Sequence, residues 1–168
     1  VDKCYYAVVK VTDRKGMENV QKVLGGRTVI TLENYLLKDS RTNMSRVVPE
    51  GTDSAKKAVL EYQVLGVEAG GELALLRVKL HTGRHHQIRV QLSEAGMPIL
   101  NDTKYAVPLD EEKVKGGART NSEDSLALCS YRLVFSHPVT RKKLTFEVVP
   151  KGKSFALFSE DLCKRDNI

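Results

Sequence analysis

Hydrophobic and polar positions alternate most clearly from Ala58 onward. Leu60, Tyr62 and Val64 share one side, while Glu61 and Gln63 share the other. Residues 66–71 form a break that contains Gly70 and Gly71. Beyond it Ala74, Leu76, Val78 and Leu80 line one side, with Arg77, Lys79 and His81 opposite. Period-two patterning on both flanks of a short glycine-bearing loop predicts an antiparallel hairpin. Its second strand has an apolar face for the core and a basic face for either solvent or a polyanion.

Residues 4–9, CYYAVV, are β-branched and aromatic and read as a strand. Residues 13–26 are polar, with Met17, Val20 and Leu24 at the spacing of one helical face and Gly25 and Gly26 as a stop. Residues 27–37 read as extended and residues 38–55 as loop, because Asp, Ser, Asn, Pro and Gly are spread through the latter. Thr82 and Gly83 then turn the chain. Ile88, Leu92 and Ala95 recur at helical spacing, Gly96 suits the position after a helix end, and Pro98 bars continuation. That helix spans about two to three turns. Residues 108–124 are charged and aperiodic and read as a surface loop.

Residues 126–135 form another strand, followed by a turn at His137, Pro138, Thr140 and Arg141. Leu144, Phe146 and Val148 alternate after it, completing a second hairpin. Phe155, Phe158 and Leu162 fit one helical face behind Ser154 as N-cap. The sum is an α+β fold, a mainly antiparallel mixed sheet with helices packed on it, in a single domain across residues 1–168.

Composition changes this picture little. With 41% hydrophobic and 29% charged residues, the 168-residue chain is of ordinary globular type and long enough for one core. No apolar run reaches membrane length, and Val1, Asp2 and Lys3 do not open a signal peptide. Since the first residues already read as a strand, the chain is expected to begin inside a domain. Charge matters more: a net +6 favours polyanionic partners. Cys4, Cys129 and Cys163 are odd in number and form no CxxC pair, which argues against a structural zinc site. Free thiols point to a cytoplasmic protein, with an organellar compartment also open.

Candidate chemistry concentrates in residues 81–105, HTGRHHQIRVQLSEAGMPILNDTKY, which hold Arg84, Arg89 and three of the four histidines. Arg89 follows Ile88 on the helix, near the edge of its buried face, where a guanidinium requires an anion. That anion is a structural carboxylate, a phosphate or a catalytic acid, with structural pairing the default. His81 and His85 would ligate a metal together only on one helix, which the Gly83 turn opposes, and no carboxylate follows as in HExxH. Metal is not expected; contact with RNA, or stacking, suits these histidines better. Tyr5 and Tyr6 point to opposite faces of their strand, so one belongs to the core and the other to a base or to solvent. Asp102 is either catalytic or, more commonly for a loop aspartate, a cap on its own backbone.

The same stretch resembles a signature of the RluA-type pseudouridine synthases, TGR-x-HQIRVHL followed by G-x-PI-x-GD-x-x-Y. Here residues 82–92 read TGRHHQIRVQL, residues 96–102 read GMPILND, and Tyr105 closes the run. Residues 3–9, KCYYAVV, resemble the family's K-x-Y-x-A-x-V strand, and residues 58–65 its next strand. Residues 126–130, LALCS, resemble an L-x-L-H-A strand, and residues 137–140, HPVT, an HP-x-T turn. Asn101 replaces the usual Gly and Cys129 the usual His. The family's R-L-D motif, which carries its catalytic aspartate upstream of the Tyr5 strand, occurs nowhere in these residues.

The resemblance implies the later part of a catalytic domain that isomerises uridine to its C-glycoside in ribosomal or transfer RNA. It implies no cofactor and no metal. By motif position Arg89 is the cation paired with the family's aspartate, Tyr5 the aromatic that stacks on the uracil, and Leu128 an apolar residue against the base. Arg84, His85, His86 and Lys104 become candidates for RNA contacts. With no R-L-D aspartate the chain alone is expected to be inactive, whether as a fragment of an enzyme, as a natural paralogue that binds RNA without modifying it, or as one that borrows the aspartate from a partner chain. Two other classes stay open. A non-catalytic RNA-binding module would show salt-sensitive affinity without isomerisation. A basic structural domain would pair Arg89 with an internal carboxylate and bind RNA only nonspecifically.

Overall fold

The computed structural model describes residues 1–22, 28–106 and 125–163. In chain order these form β1 (Asp2–Lys10), α1 (Arg14–Gln21), β2 (Ile30–Asp39), β3 (Met44–Val48), β4 (Lys56–Val67) and β5 (Leu73–Leu80). Then follow α2 (Gln87–Glu94), β6 (Leu128–Ser136), β7 (Lys143–Glu147) and the short helices α3 (Lys153–Ala156) and α4 (Ser159–Cys163). The strands join in one sheet of order β3-β2-β4-β5-β1-β6-β7. Every ladder between these strands is antiparallel, so the α+β expectation holds, with no parallel pairing in the described sheet.

The predicted hairpin is β4 and β5, with Tyr62 opposite Val78 and Val64 opposite Leu76. The ladder continues into β1, where Tyr5 lies opposite Val78 and Ala7 opposite Leu76. Residues directly opposite each other share a face. Leu60, Tyr62, Val64, Leu76, Val78, Tyr5 and Ala7 therefore line one side, called the helix face because α1 and α2 cover it. Ala7, Leu60, Val64, Leu76 and Val78 are fully excluded from water there. On α2, Ile88 and Leu92 are buried against this layer, and Val90 packs with Leu36 and Ala58. The other side carries Cys4, Tyr6, Glu61, Gln63, Arg77 and Lys79; Tyr6 stacks on Tyr131 with ring centroids 3.7 Å apart.

Two glycines set the seam between α1 and the end of α2. Gly96 takes φ +77° directly after the helix, a conformation that only glycine adopts without cost. Gly16 in α1 packs so close that a Cβ there would collide with the Gly96 carbonyl. Asp13 caps α1 by accepting the Gly16 N–H.

Four local expectations need correction. Residues 38–55 are not all loop: β3 lies within them, paired to the end of β2. The short Met-Ser-Arg start of β3 hides its pattern, and the ladder with β2 holds it. Met17 is 49% exposed; the buried side of α1 is Gly16 and Val20, because a side chain at Gly16 would not fit. Ser154 lies inside α3, whose cap is Gly152, and the C-terminal face is split between two short helices that still bury Phe155 and Phe158. Leu24, Gly25, Gly26 and residues 108–124 lie outside the described residues. No helix among the described residues is long and apolar enough to cross a membrane.

Candidate active site

The loop that delivers Arg84, His85 and His86 is held by buried amides rather than by a cap. Gln87, 2% exposed, accepts from the Arg84 N–H and the Thr82 hydroxyl, each at 2.9 Å, and donates to the Val59 carbonyl at 3.1 Å. Thr82 in turn accepts the Val59 N–H at 2.8 Å. The turn is thereby stapled to β4. One turn later Gln91 donates to the Leu32 and Ala58 carbonyls and to the Asn34 side chain, fixing α2 over β2 and β4. His86 precedes the helix at φ +53°, a left-handed conformation rare for a residue with a side chain.

Arg89 projects from α2 to Asp102, which is 1% exposed. Its Nε donates to Oδ2 at 2.8 Å and its Nη2 to Oδ1 at 2.7 Å, a two-point pair that fixes the guanidinium plane. Asp102 also accepts the backbone N–H groups of Lys104 and Tyr105 at 2.9 and 3.1 Å. Asp102 is thus both the structural carboxylate for Arg89 and a cap on its own loop. With its side chain wholly buried and both oxygens engaged, it cannot reach a substrate. Nη1 of Arg89 is left outside the pair, 3.5 Å from His86 Nε2, and the guanidinium carbon sits 5.0 Å from the Tyr105 ring centre.

Tyr105 ties this pair to the sheet. Its hydroxyl accepts the Ser45 N–H of β3 at 2.9 Å and lies 2.8 Å from His86 Nδ1. Ser45 Oγ is 3.0 Å from His85 Nδ1, and the two histidine rings lie 3.8 Å apart. Burial pushes His86 down to about 4, helped by the positive charges of Arg89 and Lys104 and by His85. His85 is lowered for the same reason, with Lys38, Lys104 and Arg89 adding to the effect of burial. Burial alone would raise Asp102, but the Arg89 hydrogen bonds and the two backbone N–H groups outweigh it and hold the carboxyl below its usual range. The site is therefore a neutral imidazole pair set among cations whose one buried anion is already matched.

Tyr5 and Leu128 lie on the same face of the sheet as α2. Tyr5 is half-buried opposite Val78 and Ser130; Leu128 is half-buried opposite Ala7. Among the described residues no hydrogen bond joins Tyr5 to Arg89. Arg84 is exposed, with its Nε donating to the Lys57 carbonyl at 2.8 Å, and Lys104 is exposed beside Asp102. His81 has a separate partner, Glu61, at 3.1 Å. No group of three or more potential metal ligands assembles among the described residues. Sequence reasoning missed Ser45, which sits in the unrecognised β3, and the closure of Tyr105 onto it.

A profile described as "RNA pseudouridylate synthase" matches residues 1–94, which include Tyr5, Arg84 and Arg89. The chain belongs to that family. It is 37% identical over 98 residues to an "Uncharacterized RNA pseudouridine synthase" of Aquifex aeolicus, covering 55% of the chain and 29% of that protein. Against the "Ribosomal large subunit pseudouridine synthase D" of Vibrio cholerae the identity is 35% over 115 residues, 63% of the chain and 33% of that protein. These likenesses make it an RluA-type member. The fold matches the human "RNA Pseudouridylate Synthase Domain Containing 1" with a TM-score of 0.61 at 20% identity, over 89% of this chain and 54% of that one. The chain spans about a third of the length of the two curated relatives named here.

Proposed function

We propose that these residues form the later part of the catalytic domain of an RNA pseudouridine synthase acting on ribosomal or transfer RNA. The observation that carries this is the family match over residues 1–94, which includes Tyr5 on the sheet face that α2 covers and Arg89 on α2. In the reaction the bond from ribose C1′ to uracil N1 breaks and a bond from C1′ to C5 forms. The C5 proton leaves to solvent and N1 gains a proton. The nucleotide must first leave its stack, and a carboxylate must attack it.

In this reading Tyr5 stacks on the displaced uracil and Leu128 packs against the same base. Arg89 orients the attacking carboxylate through Nη1 and keeps it ionised, since a nearby cation lowers a carboxylate pKa. Asp102 is a positioning residue: it anchors the other edge of the guanidinium. The attacking carboxylate is the aspartate of an R-L-D motif, which these residues do not contain. Arg84, His85, His86 and Lys104 contact the RNA strand. The reaction calls on no cofactor and no metal.

The test uses the full-length protein and RNA labelled with tritium at uracil C5. Release of tritium with formation of pseudouridine is the expected result. Salt-sensitive RNA binding without release would leave a non-catalytic RNA-binding paralogue, and neither binding nor release would leave a basic structural domain.

A further inference from the structure

We infer that the cleft between the β2–β3 hairpin, the start of β4 and the loop before α2 seats a backbone phosphate of the RNA strand. The inference rests on the RNA-acting reading above. The cleft is about 540 Å³ and is lined by Lys38, Ser45, Lys56, Gly83, Arg84 and His85, with Leu36 and Leu37 behind them. Its size suits a nucleotide unit.

The ladder explains why these groups converge. Lys38 is directly opposite Ser45, and Leu36, two residues earlier on the same face, is opposite Lys56 and Val47. Lys38, Ser45 and Lys56 thus stand on the helix face, beside the buried cluster of Leu36, Ala58 and Val90. The stapled turn brings Arg84 and His85 over them. Binding of Arg84 Nε to the Lys57 carbonyl sets the plane of the guanidinium. Among the described residues, none of Lys38, Lys56 and Arg84 forms an ion pair with a carboxylate. Burial lowers the His85 pKa, and the nearby charges of Lys38, Lys104 and Arg89 add to that shift.

Solvated surface lysines are the ordinary alternative, and the groove on the opposite face shows what that looks like. It is about 200 Å³ and is lined by Arg77, Lys79 and Arg132, but Glu61 lines it too. Arg132 is paired with Glu147, and Arg77 is hydrogen-bonded to Gln63. Arg132 has a carboxylate of its own there; among the described residues Lys38, Lys56 and Arg84 have none, Arg84 being held only by a backbone carbonyl. A phosphate between two lysines and a planar guanidinium meets that need, whereas a planar base does not.

The experiment measures affinity of the full-length protein for an RNA strand as a function of salt, in wild type, in Lys38→Gln/Lys56→Gln and in the opposite-face control Arg132→Gln. Both lysines are exposed, so the fold should survive, which thermal melting checks. The expected result is a salt slope shallower by about 0.7–0.9 for each phosphate that the double variant no longer neutralises, with the control unchanged. In addition, a neutral methylphosphonate walked along the strand should weaken wild-type binding at one linkage and have no further effect there in the double variant. Wild-type slope in the double variant, or equal weakening by the control, overturns the seat and leaves RNA as the substrate. Absence of salt-sensitive RNA binding by wild type overturns the functional reading and the seat with it.

Discussion

Both faces of the sheet carry cations and treat them differently. On the outer face His81 meets Glu61, Arg132 meets Glu147 and Arg77 meets Gln63, each within two strands. On the helix face Arg89 is held by the buried Asp102, while Lys38, Lys56 and Arg84 face a cleft with no carboxylate among its lining residues. A basic strand face, read from alternation alone, is therefore a poor guide to binding. What separates the two grooves is whether a carboxylate stands among their lining residues.

The largest expected effect follows from breaking the buried pair. Asp102→Ala leaves Arg89 without its anion and frees the N–H groups of Lys104 and Tyr105; it should cost about 3–5 kcal/mol of stability, read by denaturant unfolding. Arg132→Ala on the outer face, where both partners are largely exposed, should change stability by less than about 1 kcal/mol. Equal costs would remove the distinction drawn between the faces.

Next comes the anchor that places α2 on the sheet. Leu92 is fully buried between helix and strands, and Leu92→Ala should cost about 2–5 kcal/mol by the same measurement. A smaller loss would mean that Gln87 and Gln91 hold the helix without its apolar face.

Acid titration separates two further groups. His86 has a folded pKa near 4, below its ordinary value of about 6.5. Between these values the unfolded chain takes up a proton that the folded one refuses, so stability is full above about pH 6.5 and falls as pH drops toward about 4. His86→Asn, which tolerates the left-handed backbone, should flatten that window. Asp102 is depressed instead, so its contribution is present above about pH 3.9 and is lost as pH falls through its lower folded pKa. Stability that does not fall between pH 6.5 and 4 in wild type would contradict the neutral imidazole at the site.

Much of this frame was legible in the residues. The β4–β5 hairpin announced itself by alternation, and α2 by Ile88, Leu92 and its Gly96 stop. Both signals are local, and so readable. β3 was not, because a five-residue strand beginning Met-Ser-Arg depends on its partner β2 rather than on its own pattern. The Arg89 requirement for an anion was legible, but not the identity of that anion: Asp102 is 13 positions away and reaches Arg89 through the break after Gly96. Ser45 and Tyr105 are 60 positions apart, and only the folded sheet brings them together.

In the proposed reading Arg89, fixed on one edge by Asp102, turns Nη1 to the attacking carboxylate. The most direct measurement is pseudouridine formation by the full-length protein carrying Arg89→Gln, with RNA affinity and thermal melting followed in parallel. Formation should be abolished while the variant remains folded and still binds RNA. Formation at the wild-type rate in a folded variant would contradict that reading.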